Sequence, residues 1–378
     1  MKEKIRSLTG GSYLKGKLPT GCKICRNGAQ LFFLMTGKCC ENCYYCSLTK
    51  DKRGKDVILA NERPITSFSG VMLEVTNMNA LGAAITGGDP LVNLDQTINY
   101  ISQMKKEFGK KFHIHLYTSG RFATEENLTK LYDAGLDEIR FHPQNKEQKE
   151  NIEIALNFDW VVGAEIPIIP GEKKEILKFL DYLENLEFVK FCNFNELEAT
   201  EANIEDLKKK SFKLKNTDSS AIDGSEGLAL EILEEADTKF SLHYCSSLSK
   251  DAVQFRNRLK RTANVVKKPY EEIQDGMLVK AVISLPKYII PEELYEALID
   301  EFEIETELVL LRDDKKIETS WYIADVLKDA LYERYDITDI DILYEYPTFG
   351  RIVIAKAPLR ELSLAKDLLE LKEDEMID

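Results

Sequence analysis

Four cysteines, Cys39, Cys40, Cys43 and Cys46, fall within eight positions of the stretch TGKCCENCYYCS at residues 36–47. Thiols this dense hold a metal, carry electrons or cross-link the chain. The opening residues MKEKIRSLTGG carry no long apolar signal core, and no apolar run reaches the roughly 18 residues of a membrane span. A cytoplasmic protein with no membrane partner is therefore expected, and in a reducing compartment clustered thiols more often bind metal than form disulfides. Two metal sets compete for Cys43. Cys22-x2-Cys25 with Cys40-x2-Cys43 has zinc-ribbon spacing, whereas Cys39-x3-Cys43-x2-Cys46 is a three-thiolate set. A ribbon needs a hairpin between its knuckles, but AQLFFLMTG reads as a single strand, and six strand residues separate their ends by about 20 Å. The three-thiolate set is favoured; it suits a [4Fe-4S] cube with one iron left open to a ligand.

The elements that must position such a loop are legible as apolar runs at 31–36, 82–86, 112–118, 137–142, 160–169, 188–194 and 239–244. Helical patterns such as TEENLTKLYDAG and EKKEILKFLDYLENL separate most of them. That alternation predicts an α/β fold of parallel βα units, a partial or complete (β/α) barrel. Catalytic groups in such barrels sit at the C-terminal ends of the strands. The cysteine loop follows the first strand, and GAAITGGDP ends the second with Gly87, Gly88, Asp89 and Pro90. Glycines there allow close approach to the backbone.

With Tyr45 before the last cysteine, the form C-x3-C-x-aromatic-C resembles the radical S-adenosylmethionine (SAM) superfamily, and GGDP resembles its Gly-Gly-Glu-Pro motif with Asp in place of Glu. Across residues 20–270 the chain resembles archaeal radical SAM proteins related to pyruvate formate-lyase activating enzymes. The resemblance implies a [4Fe-4S] cluster on Cys39, Cys43 and Cys46, with the methionine end of SAM at Gly87, Gly88, Asp89 and Pro90. It implies reductive cleavage of SAM to a 5′-deoxyadenosyl radical, which abstracts hydrogen from a substrate, and an electron donor such as ferredoxin or flavodoxin. HIHLYTSG resembles the DTNG segment of glycyl-radical-enzyme activases, making Ser119 a candidate cofactor contact, with Tyr117 replacing the acidic residue. His142, at the tip of the fourth strand, is a ligand contact or a structural histidine; Ile168, Ile169 and Gly171 are an adenine seat or barrel core. The alternatives are a glycyl-radical-enzyme activase, an RNA-modifying enzyme of the same class, or a non-catalytic zinc-ribbon adaptor.

Other polar residues fall where a substrate pocket is expected: Glu165 in an apolar strand, Asn195, Glu196 and Glu198 after the sixth strand, and His243 with Cys245 on the last. A buried carboxylate such as Glu165 needs a partner. Arg63, in an insertion long enough to form part of a lid, is a candidate anion contact. Cys22 and Cys25, with Cys245 as a distant member, are a possible second metal or cluster site, although their position before the first strand places them toward the opposite end of the barrel. Cys192 reads as a buried core thiol.

The 378 residues are 44% apolar and 31% charged, enough for one large domain and a smaller one. The expected division is an N-terminal segment 1–30, a barrel core 31–274, and an α+β domain 275–378 with strands at 277–283, 305–311, 340–345 and 350–355 and helices at 291–302 and 319–334. Residues 275–378 hold 12 Lys and Arg against 26 Asp and Glu, so the whole net charge of −14 lies there and residues 1–274 balance. Such a domain disfavours nucleic acid and suits a basic partner or solubility. The segment QFRNRLKRTANVVKK, with Arg256, Arg258, Lys260, Arg261, Lys267 and Lys268, is a solvated helix face or an RNA contact.

Overall fold

In QLFFLMT, Leu31, Phe33 and Met35 are wholly buried while Phe32 is 39% exposed, the two-residue period of a strand whose faces meet different surroundings. The same logic runs along the first unit, Met1–Arg258, of a computed structural model that describes residues 4–362. Its strands are β1 (Arg6–Leu8), β2 (Ser12–Lys15), β3 (Gln30–Thr36), β4 (Leu59–Ala60), β5 (Arg63–Pro64), β6 (Gly82–Gly87), β7 (His113–Thr118), β8 (Glu138–Phe141), β9 (Val161–Ile168), β10 (Phe191–Glu196) and β11 (Ser241–Cys245). They form one sheet in the order β1-β2-β11-β10-β9-β8-β7-β6-β3-β4-β5.

From β3 through β6 to β11 every neighbouring pair is parallel. Helices Phe68–Asn77, Leu94–Phe108, Glu125–Asp133, Lys146–Ala155, Lys173–Glu184 and Ser225–Glu235 make the crossovers. The barrel is a partial one, because its edge strands β1 and β5 do not pair with each other. Two antiparallel hairpins that the apolar runs do not reveal complete the edges: β1–β2 pairs with β11, and β4–β5 pairs with β3. The latter uses the second half of the insertion expected to form a lid, and Arg63 there donates to Glu74 at 2.7 Å.

The apolar residues of the central strands face the helices. Ile85, Ile114, Leu116, Ile139, Phe141, Val162, Phe194 and Leu242 belong to one core cluster. Alternation turns His113, His115, Tyr117, Glu138, Arg140, Glu165, Asn193, Asn195, His243 and Cys245 to the other face. Branched apolar residues usually fill a barrel interior, so a polar interior points to chemistry. Helix α1 (Thr20–Arg26) packs against that face. A Cβ on Gly21 would stand 2.5 Å from Arg140 Nη2 and 2.6 Å from His115 Nδ1, so only glycine lets α1 sit this close.

The second unit starts at Leu259. β12 (Glu272–Gln274), β13 (Met277–Ser284), β14 (Val309–Leu311), β15 (Lys316–Thr319), β16 (Asp339–Glu345) and β17 (Val353–Pro358) form an antiparallel sheet ordered β14-β15-β13-β16-β17, with β12 on β13. Helix Pro291–Asp300 supplies Leu294 and Leu298 to a core with Ala281, Ile283, Ile317, Ile340 and Ile342. The expected helix at 319–334 is two pieces, Trp321–Val326 and Ala330–Arg334, preceded by the unexpected strand β15. No helix among the described residues is long and apolar enough to cross a membrane.

Candidate functional site

The loop after β3 is fixed from both sides. Gly37 N–H donates to Lys55 O at 2.9 Å, and Gly54 N–H donates to Gly37 O at 2.7 Å. On the β6 side, Gly88 N–H donates to Thr36 O at 2.7 Å and Asp89 N–H to Lys38 O at 2.9 Å. Gly87 has φ +136°, and a Cβ there would lie 2.2 Å from Thr36 O; on Gly88 it would lie 2.0 Å from Lys38 O. The close approach that these glycines permit is thus made by the backbone of the cysteine loop itself.

Cys39, Cys43 and Cys46 are free thiols and line one cavity of about 680 Å³. Gly87, Gly88, Ser119, His142, Glu165 and Lys250 line it too. Cys40 is exposed and is not part of that lining. Burial pushes the Cys39 thiol up to about 11 and raises Cys43. Three thiols on one short loop at the C-terminal edge of a parallel sheet, facing a cavity, fit the donor set of a cluster with an open iron.

Asp89 is buried behind the motif and its carboxylate faces β7. Thr118 Oγ1 donates to its Oδ1 at 3.0 Å and Leu91 N–H to the same oxygen at 3.1 Å, while Ser119 N–H donates to Oδ2 at 2.9 Å and Ser119 Oγ at 2.7 Å. Burial raises its pKa and these bonds oppose the rise. Asp89 therefore sets the position of Ser119 through its side chain. Pro90 opens the short 3-10 turn Pro90–Asn93 and is buried.

His142 joins the cysteine loop to β9. Its Nδ1 lies 2.8 Å from Glu165 O and its Nε2 lies 2.9 Å from the Tyr45 hydroxyl, with the two rings edge to face. Burial lowers its pKa, so the neutral ring donates from Nδ1 to the carbonyl and accepts at Nε2. Ile168 points into the helix-facing core, and Ile169 joins Leu197, Leu207 and Ile222 in a satellite cluster flanked by Tyr44 and Tyr45. Neither lines the cavity, nor does Gly171, whose φ is +92°; Pro167 and Leu197 supply its apolar wall instead. The lining also includes Glu41, which sequence reasoning misses; its carboxylate accepts from Arg121 at 2.7 Å and Gln148 at 2.8 Å. Its position four residues before Tyr45 holds no signal, because both partners are far along the chain.

Below this lies a second cavity of about 290 Å³, with Phe32, Tyr117, Glu165, Asn195 and Lys250 in the walls of both. Glu165 has the partner that its burial demands: Arg140 Nη1 donates at 2.8 Å, and Asn193 and Asn195 each donate at 2.9 Å. Burial opposes its charge, yet Arg140 and the two amides hold its carboxyl below the usual range. Arg140 also donates to Glu138 at 2.6 Å. His113, His115 and Glu138 have donor atoms within 4.8 Å of one another, but Arg140 already balances the Glu138 charge. Glu196 accepts from Ser247, and Glu198 pairs with Lys250.

Cys22, Cys25 and Cys245 all line this lower cavity. The expectation that the first two lie toward the far end from Cys245 is corrected by α1, which carries them into the barrel interior. Cys22 and Cys25 belong to α1 while Cys40 and Cys43 follow β3, with the whole strand between them and no hairpin to close a ribbon. Cys192 is a buried core thiol. Of the basic segment, Arg258 is buried and pairs with Glu62, while Lys260 and Lys268 lie 3.8 Å from Asp275 and 3.7 Å from Glu318.

Fold and site together define an enzyme of the partial (β/α) barrel type with a three-thiolate loop at the mouth of its cavity. The Radical SAM superfamily matches residues 33–183, and a domain of unknown function (DUF8061) matches residues 276–359. A Methanocaldococcus jannaschii protein, named as a candidate glycyl-radical enzyme activating enzyme, is 39% identical over 357 residues, 91% of this chain and 93% of its own length. The chain belongs to the radical SAM superfamily and is a radical SAM enzyme, a class whose cofactors are SAM and a [4Fe-4S] cluster. Similar solved structures include the methyltransferase TsrM from Kitasatospora setae, 12% identical with a TM-score of 0.37 over 67% of this chain and 56% of that one. SuiB from Streptococcus suis bound to S-adenosylmethionine is 11% identical with a TM-score of 0.41 over 65% and 54%. This chain matches little more than half the length of each.

Proposed function

We propose that Cys39, Cys43 and Cys46 hold the [4Fe-4S] cluster at the mouth of the 680 Å³ cavity and that the enzyme abstracts hydrogen from a protein substrate. The observation that carries the reading is that these three thiols, and not Cys40, line the same cavity as Gly87, Gly88, Ser119 and His142. The protein substrate rests on the relative described as an activating enzyme. Held by Cys39, Cys43 and Cys46, the cluster would supply the electron for reductive cleavage of SAM, and with it the hydrogen-abstracting chemistry of the class.

The chain's own residues do the positioning. Tyr45 and His142 tie the loop to β9, and Asp89 fixes Ser119 at the tip of β7. The motif glycines hold the loop against β6, leaving their main chain at the cavity wall for the methionine end of SAM. Pro167 and Leu197 offer an apolar surface to the adenine, in the role expected of Ile168 and Ile169. Within this reading, a cytoplasmic ferredoxin or flavodoxin is the electron donor, and the acidic second unit receives a basic partner.

Anaerobic reconstitution followed by iron counting and EPR tests it. The reduced cluster signal should change when SAM is added, and dithionite should drive formation of 5′-deoxyadenosine. Replacing Cys39, Cys43 or Cys46 by Ala should abolish both, and Cys40→Ala should leave both. A requirement for Cys40 with tolerance of Cys39→Ala would reject the assignment.

A further inference from the structure

The lower cavity gathers donors that the SAM site does not use. Cys22 and Cys25 stand one helical turn apart on α1, and His243 and Cys245 alternate onto the same face of β11; all four line the cavity. Gly21 presses α1 into the interior, which sets Cys22 Sγ 3.2 Å from Asn193 Nδ2. The amide of Gln254 spans the other two thiols: Cys25 Sγ lies 3.0 Å from its Oε1, and its Nε2 lies 3.2 Å from Cys245 Sγ. Gln254 stands in a π-helical turn, Lys250–Phe255, a distortion that is frequent at functional sites.

A second observation points to a ligand. His243 is 2% exposed, and neither of its ring nitrogens has a hydrogen-bond partner. A buried polar group left unpaired costs about 1–3 kcal/mol, and this one is aimed into a cavity lined by three free thiols. Arg26 lines the same space with its guanidinium bonded to Ser249 Oγ and Thr9 O, a cation suited to an anionic, thiolate-rich centre.

We propose that Cys22, Cys25, Cys245 and His243 ligate a second iron-sulfur cluster inside the barrel. Spacing argues against a single ion. The ligand atoms of one zinc each lie about 2.0–2.3 Å from it, so they crowd together. Among the described residues, the group of three donors within 4.8 Å of one another is His113, His115 and Glu138, and no three of the present set come that close. A polynuclear cluster separates its ligands by its own width. Both ligand pairs lie on regular elements, α1 and β11, so the site is held by the fold.

The test separates the two centres in the full-length chain. A C39A/C43A/C46A variant removes the loop thiols, which lie on an irregular loop outside the core. Reconstituted anaerobically with ferrous iron and sulfide, it should still take up about four iron per chain and give an EPR signal that SAM leaves unchanged. The unaltered protein should take up about twice as much. A C22A/C25A/C245A variant should lose that excess and keep the SAM-sensitive signal, and His243→Ala should shift the g values of the loop variant. A loop variant that folds by circular dichroism and takes up no iron overturns the proposal, as does one that binds zinc but no iron. If the loop assignment alone were wrong, the SAM-sensitive signal would survive in the loop variant.

Discussion

Gly88 shows how one residue ties the motif to the loop. A side chain there meets Lys38 O at 2.0 Å, and that oxygen is backbone, so the loop itself must move to make room. Gly88→Val should therefore reduce iron loading of the loop several-fold, in addition to a stability cost of about 1–3 kcal/mol typical of overpacking; iron counts after anaerobic reconstitution check it. Normal loading with lost SAM binding would assign the glycine to ligand approach. The cysteine spacing and GGDP were legible because each is a compact run. Asp89 was legible as a motif residue, but its bonds to Thr118 and Ser119 were not, because the partners lie about 30 residues on. Ile168 and Ile169 show the opposite limit: apolar residues at a strand tip look alike in sequence whether they face a ligand or the core.

At the scale of elements, the parallel strands were readable because each carries an apolar run between helical patterns. The hairpins β1–β2 and β4–β5 were not, since strands of two to four residues leave too little alternation to register. The inward turn of α1 was hidden for another reason: it depends on the absence of a side chain at Gly21 beside Arg140 and His115. Those strands also share a buried charge network, in which Arg140 on β8 binds Glu138 on its own strand and Glu165 on β9. Removing one partner of a buried pair strands the other charge, at about 3–5 kcal/mol. Arg140→Met leaves two buried carboxylates without their cation, so unfolding by urea should show a loss of that order. A loss below about 1 kcal/mol would mean that water reaches the two carboxylates and they do not depend on Arg140.

Charge divides the molecule as a whole, and the acidic second unit has an internal test of its own. Lys280, on β13, lies 2.8 Å from Glu318 on β15 and 3.2 Å from Glu345 on β16, so one buried cation joins three strands. Burial opposes ionisation of Glu318, but hydrogen bonds from Lys280 and Tyr270 and the charges of Lys280 and Lys268 hold its carboxyl down to about 2. A carboxyl depressed in the folded state binds its proton more readily when unfolded. Its contribution is thus complete above the ordinary glutamate pKa near 4.3 and is lost as pH falls toward 2, with a size on the order of 2 kcal/mol. The two tryptophans fall one in each unit, Trp160 in the first and Trp321 in the second. In a Trp160→Phe chain, Trp321 fluorescence therefore follows the second unit by itself. Its urea midpoint should fall between pH 4.5 and pH 2, and Glu318→Gln should flatten that fall while lowering the midpoint at pH 7. An unchanged pH dependence in Glu318→Gln would transfer the acid sensitivity to other ion-paired carboxylates of the acidic unit, because the repulsion among unpaired ones eases on protonation and works against a fall in the midpoint.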